Sequence, residues 1–399
     1  MKKLLTIGIL AQLVIGAVSL VRLPLVVESL GVTGFAGYAS ALGCWALTSA
    51  VGEGTRAYTR RTSASLGPTS FNLKFAYLKA LPVVLTSTVV SLAVVSYVNT
   101  SFGLIDPSVI GLIFVSSCLY PISSSFVGAY EGAGNYSWFQ KSLILIQFTS
   151  FLATLGFSSL HSQFALVMSV IFPSFFSGIY AYFRVRKHRQ LFVNQDFNAV
   201  KSSESPDTRK FVSISMFENF AYSLDTTIVL AIAGPVKAAA FNVMQRVAVL
   251  FSMVPTILSP KLAVENSKKY NPRKVRKYQI QQGLVACLIG IPVILLSPWL
   301  YSIVTHGKIE SDILIVCFAV LNGVIGSWLS PISQALIQPE ILNFRAKMAA
   351  AYSFCSLALT SVFVYLIGPA GAFLATSVSL ASYVFVVQFR ASKGSSLEN

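Results

Sequence analysis

The sequence predicts an all-α polytopic membrane protein, with about twelve transmembrane helices arranged as two parallel six-helix repeats around a central cavity. Three observations lead there. Of the 399 residues, 54% are hydrophobic and 11% charged, with a mean hydropathy of +0.69, a balance that suits a chain solvated by lipid rather than water. The apolar residues are gathered into stretches near the ~20 residues that a bilayer crossing requires. The two halves of the chain also echo each other, as in transporters built from parallel repeats.

In chain order the apolar spans are 4–30, 34–55, 75–98, 109–130, 138–160, 164–182, 211–233, 236–258, 280–303, 313–337, 348–367 and 370–389. The first follows Met1-Lys2-Lys3. It is too long for a signal-peptide core and has no small-residue cleavage site before Arg22, so a retained helix is expected. Prolines within spans, such as Pro24, Pro82, Pro121, Pro173, Pro255, Pro292 and Pro331, are tolerated in membrane helices and supply kinks. The polar run 193–206 marks the middle of the chain. The expected division is therefore an N-terminal six-helix bundle (1–183), a cytoplasmic linker (184–210) and a C-terminal six-helix bundle (211–399).

The net charge of +16 comes from 30 Lys and Arg against 14 Asp and Glu. These cations sit in alternate loops: Lys2, Lys3, Arg56, Arg60, Arg61, Lys141, the 184–189 and 268–277 runs, Arg345, Lys347, Arg390 and Lys393 on one side, Lys237 and Lys308 on the other. That asymmetry places both termini in the cytoplasm. It explains the basic loops without a nucleic-acid partner. Cys44, Cys118, Cys287, Cys317 and Cys355 all fall in apolar spans without CxxC spacing and read as small hydrophobes.

The repeats show in two places. Aligning Gly31 with Gly234 lays one helix, glycine-led turn and second helix over another, and sets Arg22 opposite Asp225. A second echo joins 119–136 to 329–344, each with Pro-Ile-Ser, then a Glu, then Asn and an aromatic residue.

Charged residues inside spans cost a few kcal/mol at mid-membrane and are therefore candidates for function. Glu218, Tyr222 and Asp225 follow at i, i+4 and i+7 and share a helix face with Asn219 alongside. Asp225 and Glu218 read as acids that couple transport to an ion. The competing readings are an Asp225–Arg22 structural pair and a capping or snorkelling role for Glu218. Arg246 lies near the middle of the eighth span, one turn from Asn242, where a planar guanidinium suits an anion such as phosphate; Arg246, Asn242 and Tyr222 are candidate substrate ligands, and a lock of Arg246 to a carboxylate on another helix is the alternative. Ser49, Glu53 and Arg56 are spaced i, i+4 and i+7, so Arg56 is a candidate substrate ligand and Glu53 a coupling acid, or the two pair along their own helix. Asn322, Ser330, Ser333 and Gln334 can meet sugar hydroxyls or join helices.

The expected external loops are short, and His161, His188 and His306 are scattered among loops. No catalytic set, metal site or cofactor is expected, and there is no GxxxxGK[ST] phosphate loop. The sugar-porter signature is only echoed in GEGTRAYTRR (52–61), which lacks its Asp.

The stretches RLPLVVESLGVTGFAGYASALGCW and SLDTTIVLAIAGPVKAAAFNVMQRV resemble the Wzx-type flippases of polysaccharide biosynthesis, within the superfamily that also holds multidrug and toxin extrusion exporters. The matching elements are Leu-Gly-x-x-Gly-x-x-x-Tyr at 30–38 and Asp225 with Gly234-Pro235; in the second half Phe241 stands for the usual Tyr and Ala238 for the usual Gly. The resemblance implies translocation of an undecaprenyl-pyrophosphate-linked oligosaccharide, an O-antigen or capsule repeat unit, from the cytoplasmic to the periplasmic leaflet of a bacterial inner membrane. It also implies a cationic cavity, to which Arg22 and Arg246 correspond, and partners among membrane lipids and the polymerase and chain-length proteins of the same pathway. An ion-coupled multidrug exporter of the same superfamily is the nearest alternative. A non-transporting membrane enzyme or scaffold of polysaccharide assembly is another.

Overall fold

The computed structural model describes residues 2–66, 73–132, 136–189, 208–266, 272–335 and 339–395. Most of the expected linker, 190–207, lies outside the described residues. The elements are α1 (Lys2–Leu66), α2 (Leu73–Phe102), α3 (Pro107–Gly132), α4 (Tyr136–Ser158), α5 (Gln163–Arg189), α6 (Thr208–Ala233), α7 (Pro235–Asn266), α8 (Pro272–Thr305), α9 (Ile313–Ala335), α10 (Pro339–Ile367) and α11 (Ala370–Ser395). No strand occurs among the described residues.

The 65 residues of α1 are two helices merged across a break at Gly31, whose φ of 69° and ψ of 174° are non-helical. Gly234, between α6 and α7, has φ +85°. Both have the positive φ that glycine adopts without a Cβ penalty. The two glycines aligned in the sequence thus both stand at breaks with positive φ, and the described residues form twelve helical rods. Helix is the only way for a single apolar segment to satisfy its own backbone groups in lipid.

Among the described residues nine stretches are long and apolar enough to cross a membrane, the first of them running through the Gly31 break. Large apolar side chains cover the outside: Tyr365 is 80% exposed, Leu295 72% and Phe385 69%. Such a surface is costly in water and matched to hydrocarbon. The protein is an all-α, polytopic membrane protein.

The chain divides into two compact units, Met1–Ala39 with Leu224–Asn399, and Ser40–Ser223. These boundaries fall inside α1 and α6, whereas the bundle limits expected at 183 and 211 flank the linker region.

In the 40–223 unit, α3 packs against α2, α4 and α5, and α4 against α5. Leu47 and Val51 of α1, Ala80 and Val84 of α2, and Val212 and Met216 of α6 form one buried cluster there. In the other unit, α9 packs against α7, α8 and α11, and α10 against α11. Phe241 and Phe373 pack with ring centroids 4.6 Å apart and planes tilted by 37°, and Tyr301 donates to the Ala240 carbonyl at 2.9 Å. Gly323 lets α9 lie against the Phe251 ring of α7, where a Cβ would clash. Small residues at such contacts are how membrane helices gain close packing.

Candidate functional site

Among the described residues, polar clusters within the helices centre on Asp225 in one unit and on Arg56 in the other. The first centres on Asp225 of α6, which is 2% exposed. Thr360 Oγ1 of α10 donates to its Oδ1 and Thr376 Oγ1 of α11 to its Oδ2, both at 3.1 Å. Three helices thus converge on one carboxylate. Those hydroxyls take the place expected for Arg22, which is not among the partners of Asp225. Arg22 is nonetheless buried, at 7% exposure. Each charge lies nine residues before its glycine, Arg22 before Gly31 and Asp225 before Gly234. At 1.5 Å per residue both sit about 13 Å along a helix from the break.

The neighbouring Thr226 donates to Gln245 Oε1 at 3.1 Å, and Asn242 Nδ2 donates to Gln245 Oε1 at 3.1 Å and to Thr226 Oγ1 at 3.4 Å. Asn242, expected to meet substrate, is buried in this tie between α6 and α7. Its Oδ1, and the Oγ1 of Thr227, are buried oxygens with no hydrogen-bond partner, an uncommon and costly state in a folded protein. Glu218, Tyr222 and Arg246 are each partly buried. Glu218 and Tyr222 belong to the part of α6 in the other unit, so the face expected to carry Glu218, Tyr222 and Asp225 is divided between units.

The second cluster centres on Arg56 of α1. Its Nε donates to Glu131 Oε2 at 2.9 Å and its Nη2 to Glu131 Oε1 at 2.8 Å, a bidentate pair with α3, while Nη1 reaches Glu53 Oε2 at 2.9 Å. Tyr120 of α3 donates to Glu53 Oε1 at 3.2 Å. Glycine makes the approach possible: a Cβ on Gly128 would meet Thr59 Oγ1 and the Arg56 backbone, and one on Gly52 would meet the Tyr120 ring. The helical pairing of Glu53 with Arg56 is present, but the stronger partner is Glu131. Its side chain is 3% exposed against 47% for Glu53. Glu131 was not singled out from the sequence as a site residue. Its signal was there in the echoed motif, where an acid follows Pro-Ile-Ser inside an apolar span.

The polar stripe of α9 joins helices. Asn322 Oδ1 accepts from Ser377 of α11 at 3.1 Å, and the Ser333 carbonyl accepts from Arg345 Nη1 of α10 at 2.6 Å. Arg345 also donates to Tyr383 at 3.2 Å, in a ring stacked on Tyr352.

No protein-family model matches the sequence, and no curated protein matches it significantly. Solved structures do match. A MOP-superfamily transporter from Pyrococcus furiosus, described by a binding pocket of reverse polarity that suggests a different function, superposes with TM-score 0.63 at 13% identity, covering 98% of this chain and 94% of that one. A multidrug-resistance MATE-family transporter of the MOP superfamily, in an outward-facing conformation, gives 0.63 at 15% identity over 100% and 96%. A MATE protein in complex with MaL6 gives 0.65 at 15% identity over 98% and 95%.

The chain has the fold of these transporters. At such low identity the likeness lies in the backbone.

Proposed function

We propose that the protein is a membrane transporter that moves an undecaprenyl-pyrophosphate-linked oligosaccharide from the cytoplasmic to the periplasmic leaflet of a bacterial inner membrane by alternating access, with both termini cytoplasmic. The observation that carries this reading is the presence of two arginines, Arg22 and Arg246, buried and half-buried within apolar helices of one unit. An arginine at that depth is expensive and stays charged. Each guanidinium carries five N–H donors, enough to hold a neighbour and still meet a pyrophosphate oxygen. The lipid tail stays in the bilayer, and polar side chains meet the sugars.

In this reading Asp225 couples transport to an ion. A carboxylate with hydroxyls from two further helices offers hard oxygen ligands to a small cation, or a site for a proton. Cation or proton exchange there favours one packing of α6, α10 and α11 over another, and so resets the carrier. Glu218 and Glu53 are secondary acids, Glu53 being joined to Arg56. The same Asp225 favours the second reading, an exporter of organic cations, because a buried acid is what a cationic drug would seek.

The test is transbilayer movement of an undecaprenyl-pyrophosphate oligosaccharide in vesicles holding the purified protein, beside Arg22→Gln and Arg246→Gln. Movement by the parent that falls at least tenfold in both folded variants supports the flippase. A parent that moves no such lipid but extrudes an organic cation, with loss in Asp225→Asn alone, replaces it with the exporter.

A further inference from the structure

On the outer face of α8 and α9 lies an apolar groove of about 340 Å³, lined by Ile280, Gly283, Leu284 and Cys287 of α8 and closed on the α9 side by Trp328. At its floor Gly283 leaves room beside the indole: a Cβ there would sit 3.2 Å from the Trp328 ring, a tight contact. One helical stripe links this groove to charge. Arg273, Arg276 or Lys277, Ile280, Leu284 and Cys287 follow at three- and four-residue steps, so they share a face of α8. Arg273, Arg276 and Lys277 are all exposed. The basic end occupies about 6 Å of helix axis and the groove about 10 Å beyond it, which matches a headgroup layer of roughly 5–8 Å opening onto hydrocarbon. Trp328 is 47% exposed, and its indole N–H suits the ester region where the two layers meet.

We propose that this groove is a binding site for an anionic phospholipid of the membrane, one acyl chain lying along Ile280, Gly283 and Leu284 against Trp328 and the phosphate held by Arg273, Arg276 and Lys277. Charge complementarity selects the occupant. A neutral lipid chain would fill the groove as well, but only a net-negative headgroup is drawn by three cations at its mouth. Topology alone explains basic residues in loops; it does not require them on the one stripe that runs into a groove floored by glycine. The volume accommodates on the order of ten water-sized groups, enough for the upper part of one chain. The site is separate from Arg22, Arg246 and Asp225, so it does not depend on what is transported.

The experiment uses the full chain in phosphatidylcholine nanodiscs containing phosphatidylglycerol with brominated chains, which quench nearby tryptophan fluorescence. Subtracting the signal of Trp328→Phe isolates Trp328 from Trp45, Trp138 and Trp299. Quenching of Trp328 is expected to exceed that from brominated phosphatidylcholine at the same mole fraction, corresponding to a tenfold to hundredfold preference at low salt that shrinks as salt is added. The triple variant Arg273→Gln, Arg276→Gln and Lys277→Gln, which changes only exposed side chains, should abolish the excess. Gly283→Leu should lower quenching by both lipids. Equal quenching by the two lipids in the parent, or an excess that survives the triple variant, overturns the proposal.

Discussion

Replacing Glu131 by Gln tests how the buried ion pair supports the 40–223 unit. Glu131 is 3% exposed at its side chain and takes two N–H bonds from Arg56, at 2.9 and 2.8 Å. The isosteric amide keeps the volume but removes the charge and turns one accepting oxygen into a donor facing the guanidinium. Breaking a buried pair on one side costs about 3–5 kcal/mol. Glu53 still touches Arg56 at 2.9 Å and recovers part of this, as an exposed pair is worth about 0–1 kcal/mol. A loss of about 3 kcal/mol is therefore expected, on the order of a hundredfold in the unfolding equilibrium. Glu53→Gln, at the half-exposed partner, should cost less than about 1 kcal/mol. The assay is denaturant titration of the purified protein in mild detergent, followed by helical circular dichroism. The double variant Arg56→Met, Glu131→Leu should recover most of the loss, since an apolar pair of similar volume avoids the desolvation of both charges. Equal losses for Glu53→Gln and Glu131→Gln would refute the reasoning, because burial would then not set the strength of the bond.

Thr360→Val and Thr376→Val each strip one hydrogen bond from a buried carboxylate and should destabilise by about 1.5–3 kcal/mol, while Thr360→Ser stays near the parent in the same titration. Gly128→Val drives a side chain into Thr59 and the Arg56 backbone; an overpacking loss of about 1–3 kcal/mol is expected, together with the loss of a Cys-to-Cys crosslink engineered between α1 and α3. Gly234→Ala puts a Cβ on a residue with φ +85° and should cost about 1–2 kcal/mol, with Gly31→Ala behaving alike if the two breaks are equivalent turns; melting in detergent reads both.

The class of this protein was legible without coordinates, since lipid imposes a simple rule: a chain that crosses it must be apolar for about a helix length, and must be helical. The turn glycines were legible too. Gly31 and Gly234 stood at equivalent places in an internal alignment, and glycine is the residue that takes a positive φ at least steric cost. The Glu53–Arg56 contact followed from helical spacing alone. Partners on other helices did not. Glu131 lies 75 residues from Arg56, and Thr360 and Thr376 lie 135 and 151 residues from Asp225.

In a soluble protein the apolar stripe tells which face of a helix is buried, but in a membrane helix both faces are apolar and that signal is erased. On α8, Val293 is 5% exposed and Leu295 72%, a difference that their chemistry does not announce. Helix length, break positions and the depth of each charge were thus properties of the sequence by itself. Which charge met which partner was decided only in the tertiary structure, because it depends on where glycines such as Gly128 let two backbones approach, and that is a relation between segments far apart in the chain.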